Sequence, residues 1–312
     1  MSEYVAYLNG EWVDSDELRI DRKDRGFRTG DVVFDTARTF DGDIFNSRLH
    51  AERLMRSLKY ARIDSGLTTD EWEAVMLESV ERNRHLLPVA GDFYIYPFVT
   101  RGMGHPAPAS GPPTVACEAY PLYFGRWAEW FDQGVKGAIP KARSLSSDQV
   151  DAKIKHQSRM NMNLAEMEAW DIDEGAYSVM LDLDGNLTEG TINSVFLVSG
   201  GVLKCPTDTA ILQSLSRWTV RDLAGQLGIP VVEEDLQPYD LYTADEAFLA
   251  FTGPCVLPMT TVDRRPVGDG RPGPITQQLL AAWSERVGMD IVGQAQRYGQ
   301  MASSGHPDAP QT

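Results

Sequence analysis

Apolar and polar positions alternate in short bursts along this chain, and turn-forming pairs separate the bursts. Residues 4–8 and 11–13 flank Asn9-Gly10, a pair that predicts a tight hairpin. The run 32–40 (VVFDTARTF) reads as one buried strand, which Asp41-Gly42 turns into residues 44–45. The period then lengthens. Over 50–63, Leu54, Leu58 and Ala61 share one helical face, and Thr68 with Glu71 forms a capping-box pair opening a second helix to about residue 87. Strands are predicted at 93–101 and 114–124. The spacer between them, GMGHPAPASGPP, carries four prolines and three glycines and cannot be a helix.

The pattern shifts around 127–137. Beyond it a strand is predicted at 135–142, followed by a polar loop and the stretch 151–169 (DAKIKHQSRMNMNLAEMEA). Met160, Leu164 and Met167 fall at i, i+4 and i+7, which predicts a helix buried through that face and places Lys155 at its entrance. Residues 176–183 and 187–198 flank Asp184-Gly185 as a hairpin, and 202–204 reads as a further strand. Helices are predicted at 216–227 and 274–287, and strands at 230–232, 247–251 and 256–260. From about Gly293 the apolar period is lost, which predicts a frayed tail over 293–312. The expected organisation is α/β: a small N-terminal α/β domain over 1–128, a linker at 129–134 and a larger domain over 135–292.

With 312 residues the chain can bury a sizeable core, and 42% hydrophobic with 24% charged residues is ordinary for a globular enzyme. The net charge of -16 argues against nucleic acid or an anionic membrane surface as partner, while leaving room for a local basic pocket. Cys117, Cys205 and Cys255 have neither metal-ligand spacing nor an even count for disulfides, and the five histidines are scattered. The stretch MSEYVAYLNGEWV lacks the basic start and apolar core of a signal peptide, and no run is long enough to span a bilayer. A cytoplasmic location is expected.

Five features could carry chemistry, each with a plainer reading. Lys155 becomes a nucleophile toward carbonyls if desolvation or a neighbouring cation lowers its pKa, although most lysines are solvated surface groups. Glu189, in DGNLTEGTINSVFLV, stands between a turn and an apolar run, where burial demands a partner; otherwise it is the exposed end of a hairpin. Arg53 in the first long helix is either a solvated helical arginine or an anion ligand. At Leu215-Ser216-Arg217 a helix begins, with Ser214 or Ser216 as its cap, and its free N–H groups suit a phosphate. Thr252-Gly253 ends an apolar strand and offers a hydroxyl and an open backbone N–H, or simply makes a turn.

Arginine, lysine, glutamate, helix start and Thr-Gly follow one another here in the order seen in the class IV aminotransferases. The chain resembles that family from YLNGEWV to about Val287, most specifically in DRGFRTGDVVFDTARTF, HAERLMRSL, the IKH around Lys155, GNLTEGTINSVF and ADEAFLAFTG with PITQQLL. The resemblance implies a two-domain fold type IV enzyme with a larger C-terminal pseudo-barrel domain, pyridoxal 5′-phosphate as cofactor, and a homodimer with shared active sites. It implies that Lys155 forms the Schiff base with the cofactor and shuttles a proton, and that Glu189 keeps the pyridine nitrogen protonated. Arg53, the N–H groups of Leu215 and Ser216, and Thr252 would hold the phosphate. Phe34, Arg38, Tyr94, Tyr96 and Gly253 would line the substrate side, and the GMGHPAPASGPP loop would cover the partner's pocket. The reaction implied is a two-stage transfer from a branched-chain amino acid or (R)-amine to pyruvate or 2-oxoglutarate.

The chain also departs from the family. Met160 stands where branched-chain enzymes carry a tyrosine, Ser194 where an asparagine is usual, and LQSLSR lacks the glycine usual before the phosphate-binding helix. The loop after Arg101 lacks the arginine-then-histidine pair of D-amino-acid enzymes, although His105 is present. Three other readings stand beside the first. They are a D-amino-acid transaminase, a 4-amino-4-deoxychorismate lyase (which IKH followed by Arg159 also resembles), and a non-enzymatic protein that binds a phosphorylated ligand.

Overall fold

The computed structural model describes residues 4–104 and 111–303. They divide into two compact units. The first comprises residues 4–123 with Ile154–Arg159, and the second comprises Phe124–Lys153 with Met160–Ser303. Of the expected loop over 102–113, residues 105–110, His105 among them, lie outside the described residues.

The first unit is a seven-stranded antiparallel sheet with helices on one face. Its elements are β1 (Val5–Leu8), β2 (Glu11–Asp14), α1 (Arg25–Thr29), β3 (Val32–Phe34), β4 (Ala37–Phe40), β5 (Asp43–Ile44), α2 (Ser47–Ala61), α3 (Thr69–Asn83), α4 (Leu87–Ala90), β6 (Phe93–Thr100) and β7 (Val115–Pro121). The order across the sheet is β2-β1-β7-β6-β4-β5, with β3 also paired to β6. Asn9 and Gly10 both take positive φ, the conformation a two-residue hairpin between β1 and β2 requires. The Thr68–Glu71 capping box is present at the start of α3.

Side chains alternate between the two faces of this sheet. Val33, Ala37, Ile95, Val99, Cys117 and Ala119 face Leu54, Leu58, Trp72, Met76 and Val80 of α2 and α3. The opposite face carries Phe34, Phe98 and Ala116, with Tyr96 packed against them.

The predicted strand 32–40 is two strands, broken at Asp35-Thr36. The break is held by a buried carboxylate. Asp35 accepts from Arg53 Nε at 2.8 Å and Nη2 at 2.7 Å, and from the Thr36 N–H at 2.6 Å; His50 Nδ1 lies 2.7 Å from its Oδ1. Burial alone would raise the Asp35 pKa, but Arg53 and His50 carry it well below the usual carboxylate range. His50 moves down, because complete burial and the nearby cations Arg53 and Lys155 outweigh the carboxylate.

The second unit is an eight-stranded mixed sheet. Its elements are α5 (Trp130–Gln133), β8 (Val135–Ala138), α6 (Met160–Ile172), β9 (Tyr177–Ser178), β10 (Ser194–Ser199), β11 (Val202–Cys205), α7 (Leu215–Gln226), β12 (Val231–Glu233), α8 (Pro238–Tyr242), β13 (Glu246–Phe251), β14 (Cys255–Val262), β15 (Arg265–Pro266), α9 (Pro274–Val287) and α10 (Ile291–Ser303). The strand order is β12-β11-β10-β13-β14-β8-β9, with β15 on β14. Residues 129–134, read as a linker, hold the short helix α5 inside this unit. The hairpin expected from 176–198 contains only the short β9 and β10, joined by isolated bridges and an irregular stretch.

Two expectations are overturned here. Met160, Leu164, Met167 and Trp170 are 74, 49, 66 and 53% exposed, so the large apolar face of α6 points outward and its buried side is Ala165 and Ala169. The tail expected from Gly293 is, as far as Ser303, the helix α10, with Ile291 and Ala295 fully buried. Its Gly299 is a point of contact. A Cβ on Gly125, in the 3-10 turn Phe124–Trp127, would lie 2.5 Å from the Gly299 nitrogen, so the backbones touch there. Among the described residues no helix is long and apolar enough to cross a membrane.

Gly125→Val is expected to lower stability by about 1–3 kcal/mol in urea unfolding and to open residues 291–303 to protease. The pH dependence follows from His50. Its folded pKa is below the ordinary 6.5, so the unfolded chain binds the proton more readily. Stability is therefore full above that value and falls as pH drops through it. His156 moves in the same direction. Urea midpoints measured across this range should decline toward acid, and His50→Gln, which can still donate to Asp35, should flatten part of the decline.

Candidate active site

Lys155 sits on a segment hung from the first unit's sheet by its backbone. The Phe34 N–H donates to the Lys155 carbonyl at 3.1 Å, the Gln157 N–H donates to the Val32 carbonyl at 3.0 Å, and His156 bridges Val33. The Lys155 N–H donates to Ser57 Oγ on α2 at 3.2 Å, and Ser158 Oγ donates to the Gly30 carbonyl at 2.8 Å. These anchors fix the backbone on both sides of the lysine. Its Nζ lies 4.6 Å from the centre of the Phe34 ring, a cation–π contact. The lysine therefore belongs to the sheet face opposite α2 and α3.

That face is aromatic. Phe34 packs on Tyr96 at 5.3 Å between ring centres, Tyr96 on Phe98 at 5.9 Å, and Tyr94 on Tyr120 at 5.3 Å. Gln157 donates to the Tyr96 hydroxyl. Burial first, and then Glu118, push the Tyr96 phenol up to about 12, against a smaller opposing effect of Arg159. It stays protonated at neutral pH. Burial and the cations Arg159 and Lys155 push His156 down, so it too is neutral.

Arg38 is engaged differently from the substrate wall expected of it. It is 2% exposed, its Nη2 is 3.6 Å from Asp92, its Nε donates to the Thr39 carbonyl, and its guanidinium stacks 3.9 Å over Phe40. Arg53, in the second turn of α2, is buried against Asp35, not solvated. Sequence reasoning missed Asp35, His50, Asp92, Gln157 and Glu118. A lone aspartate inside an apolar strand run was the one available signal, since an unpartnered buried carboxylate is too costly to persist.

The remaining candidates lie in the second unit. Glu189 is 8% exposed, and its Oε1 accepts the Leu212 N–H at 3.1 Å. The turn after it is tight: a Cβ on Gly190 would meet the Ser178 carbonyl at 2.4 Å. Asn193, in the same turn, is buried with neither side-chain amide atom partnered among the described residues, and Ser194 begins β10. Ser214 caps α7, its Oγ accepting the Arg217 N–H at 3.3 Å, so the N–H groups of Leu215 and Ser216 fall in the first turn without intrahelical partners. Arg217 fixes that turn. Its buried guanidinium meets Asp208 and Glu233 at 2.6 Å each and the Pro206 carbonyl at 2.8 Å. An arginine in a first helical turn opposes the dipole, which is the sequence signal for such an anchor. Thr252 and Gly253 form the turn between β13 and β14, and Cys255 beyond them takes a positive φ of 66°. Among the described residues no cluster of three potential metal ligands occurs.

The profile of the family "Amino-transferase class IV" matches residues 32–262. A putative branched-chain-amino-acid aminotransferase of Methanocaldococcus jannaschii is 35% identical over 281 residues, 88% of this chain and 93% of that protein. A D-alanine aminotransferase of Staphylococcus aureus is 29% identical over 288 residues, 90% of this chain and 97% of its own. Among solved structures, the branched-chain amino acid aminotransferase of Thermobaculum terrenum in its PLP form superposes with a TM-score of 0.81 at 26% identity, covering 95% of this chain and 96% of that one. A profile spanning most of the chain, a relative above 30% identity over nearly its whole length, and a shared two-domain fold agree: the chain belongs to the class IV aminotransferases.

Proposed function

We propose that this aminotransferase uses pyridoxal 5′-phosphate to move an amino group from a branched-chain amino acid or an (R)-amine to pyruvate or 2-oxoglutarate, in two half-reactions. The observation that supports it most directly is Lys155, an amine held over Phe34 by an anchored backbone. The donor set fits the cofactor part for part: an amine for its aldehyde, a guanidinium and a helix start for its phosphate, and a buried carboxylate for its ring nitrogen. The unmet amide of buried Asn193 beside Glu189 is in keeping with a polar ligand there.

When bound, the cofactor supplies the electron sink for a carbanion at the donor's Cα. The chain's own residues do the rest. Lys155 Nζ would hold the cofactor through its aldehyde and move the proton to and from Cα. Glu189 holds a proton on the ring nitrogen by opposite charge, an effect typically worth about 1–3 pKa units. Arg53, oriented by Asp35, would bind the phosphate, as would the Leu215 and Ser216 N–H groups and the Thr252 hydroxyl. Phe34, Tyr94 and Tyr96 exclude water from the reacting carbon, with Gly253 at the substrate side. A D-amino-acid donor is the second reading, supported by the likeness to D-alanine aminotransferases.

A visible band after addition of pyridoxal 5′-phosphate, lost in Lys155→Ala, is the expected signature. Turnover should fall about 10²–10⁴-fold or more in that variant. Bleaching by only one of L-leucine, (R)-1-phenylethylamine and D-alanine would assign the donor. A chain that stays colourless, or a Lys155→Ala variant that keeps the band, would refute the reading.

We also propose a homodimer. The exposed apolar stripe of α6 supports it, because a face of this kind calls for cover. Sedimentation velocity should give twice the 34.6 kDa chain mass, and Leu164→Glu with Met167→Glu should shift it to one. A monomeric parent protein would refute it.

A further inference from the structure

We propose that Glu118 selects amino donors carrying a second, distal ammonium group, so that the enzyme accepts terminally aminated amino acids such as ornithine or lysine. This deepens the transaminase reading and rests on it.

Register places Glu118 on the aromatic face. Tyr96 of β6 lies opposite Glu118 of β7, and Tyr94 lies opposite Tyr120. Because side chains alternate along each strand, Tyr94, Tyr96, Glu118 and Tyr120 share the face on which Lys155 stands over Phe34. From β3, which bears Phe34, to β7 is two strand spacings, about 9.6 Å. A donor reacting at Lys155 through its α-amine can span much of that gap with a chain of three or four methylenes.

The carboxylate is also uncompensated. Glu118 is half-buried, and no hydrogen bond or ion pair meets its carboxylate among the described residues. Burial is the cause acting on its acidity, and it raises the pKa. Arg159 also acts on the Tyr96 hydroxyl, in the sense opposite to Glu118. An acid on a face rich in aromatic rings, partly stripped of water and without an ion-pair partner among the described residues, is a ready partner for a cation arriving with the substrate. An aliphatic side chain gains nothing from it.

The test compares kcat/KM for ornithine against norvaline, and lysine against norleucine, in whichever hand the holoenzyme turns over, with pyruvate as acceptor. The parent enzyme should favour the cationic member of each pair. Glu118→Gln should reduce that preference about tenfold or more, the scale of a lost charge-assisted hydrogen bond, while leaving norvaline and norleucine turnover unchanged. Retained turnover of the apolar donors shows that the variant folds. Equal ornithine-to-norvaline ratios in parent and variant would overturn the role of Glu118 and leave the transaminase reading standing. No amine transfer from any donor would overturn that reading, and this inference with it.

Discussion

A carboxylate with no access to water has to be surrounded by donors, and in the first unit much follows from how Asp35 meets that demand. Four hydrogen-bond donors reach it: two from Arg53, one from His50 and one from the Thr36 backbone. Removing one partner of such a buried pair typically costs about 3–5 kcal/mol, because the other is left charged and dry. The cluster fixes the break between β3 and β4 to two positions of α2 spaced by three residues. It thereby sets where Phe34 ends its strand and where the Arg53 guanidinium is held. Lys155 hangs from the Phe34 N–H, so the same constraint reaches the lysine through one peptide group.

The sheet of the first unit divides its labour by face. One face packs on α2 and α3 with aliphatic and small residues, and this supplies the core. The other presents aromatic rings, a neutral tyrosine hydroxyl and Lys155. Aromatic rings can bury apolar area while offering a polar edge. On a chain of net charge -16, Arg53 and Lys155 form a local cationic spot, both acting on His50.

Much of this was legible in the sequence where local chemistry decides the outcome. Asn9-Gly10 specified its hairpin, and Thr68 and Glu71 their capping box. What was not legible depends on tertiary packing. Periodicity revealed a stripe on α6 but not which side the core takes; the core took the alanines, because Ala165 and Ala169 permit close approach. The loss of apolar period from Gly293 gave no sign of a helix there, where Gly299 meets the backbone of Gly125. The 32–40 run concealed a break because its aspartate is satisfied by residues fifteen and eighteen positions later.

The segment Ile154–Arg159 joins the first unit although most of that unit ends at residue 123. During synthesis the sheet can assemble well before this segment emerges, leaving the Val32 carbonyl and the Phe34 N–H along an open strand edge. Such edges template pairing between chains. The stretch that carries the lysine closes this one, so the same backbone that positions the amine also covers an edge in the completed fold.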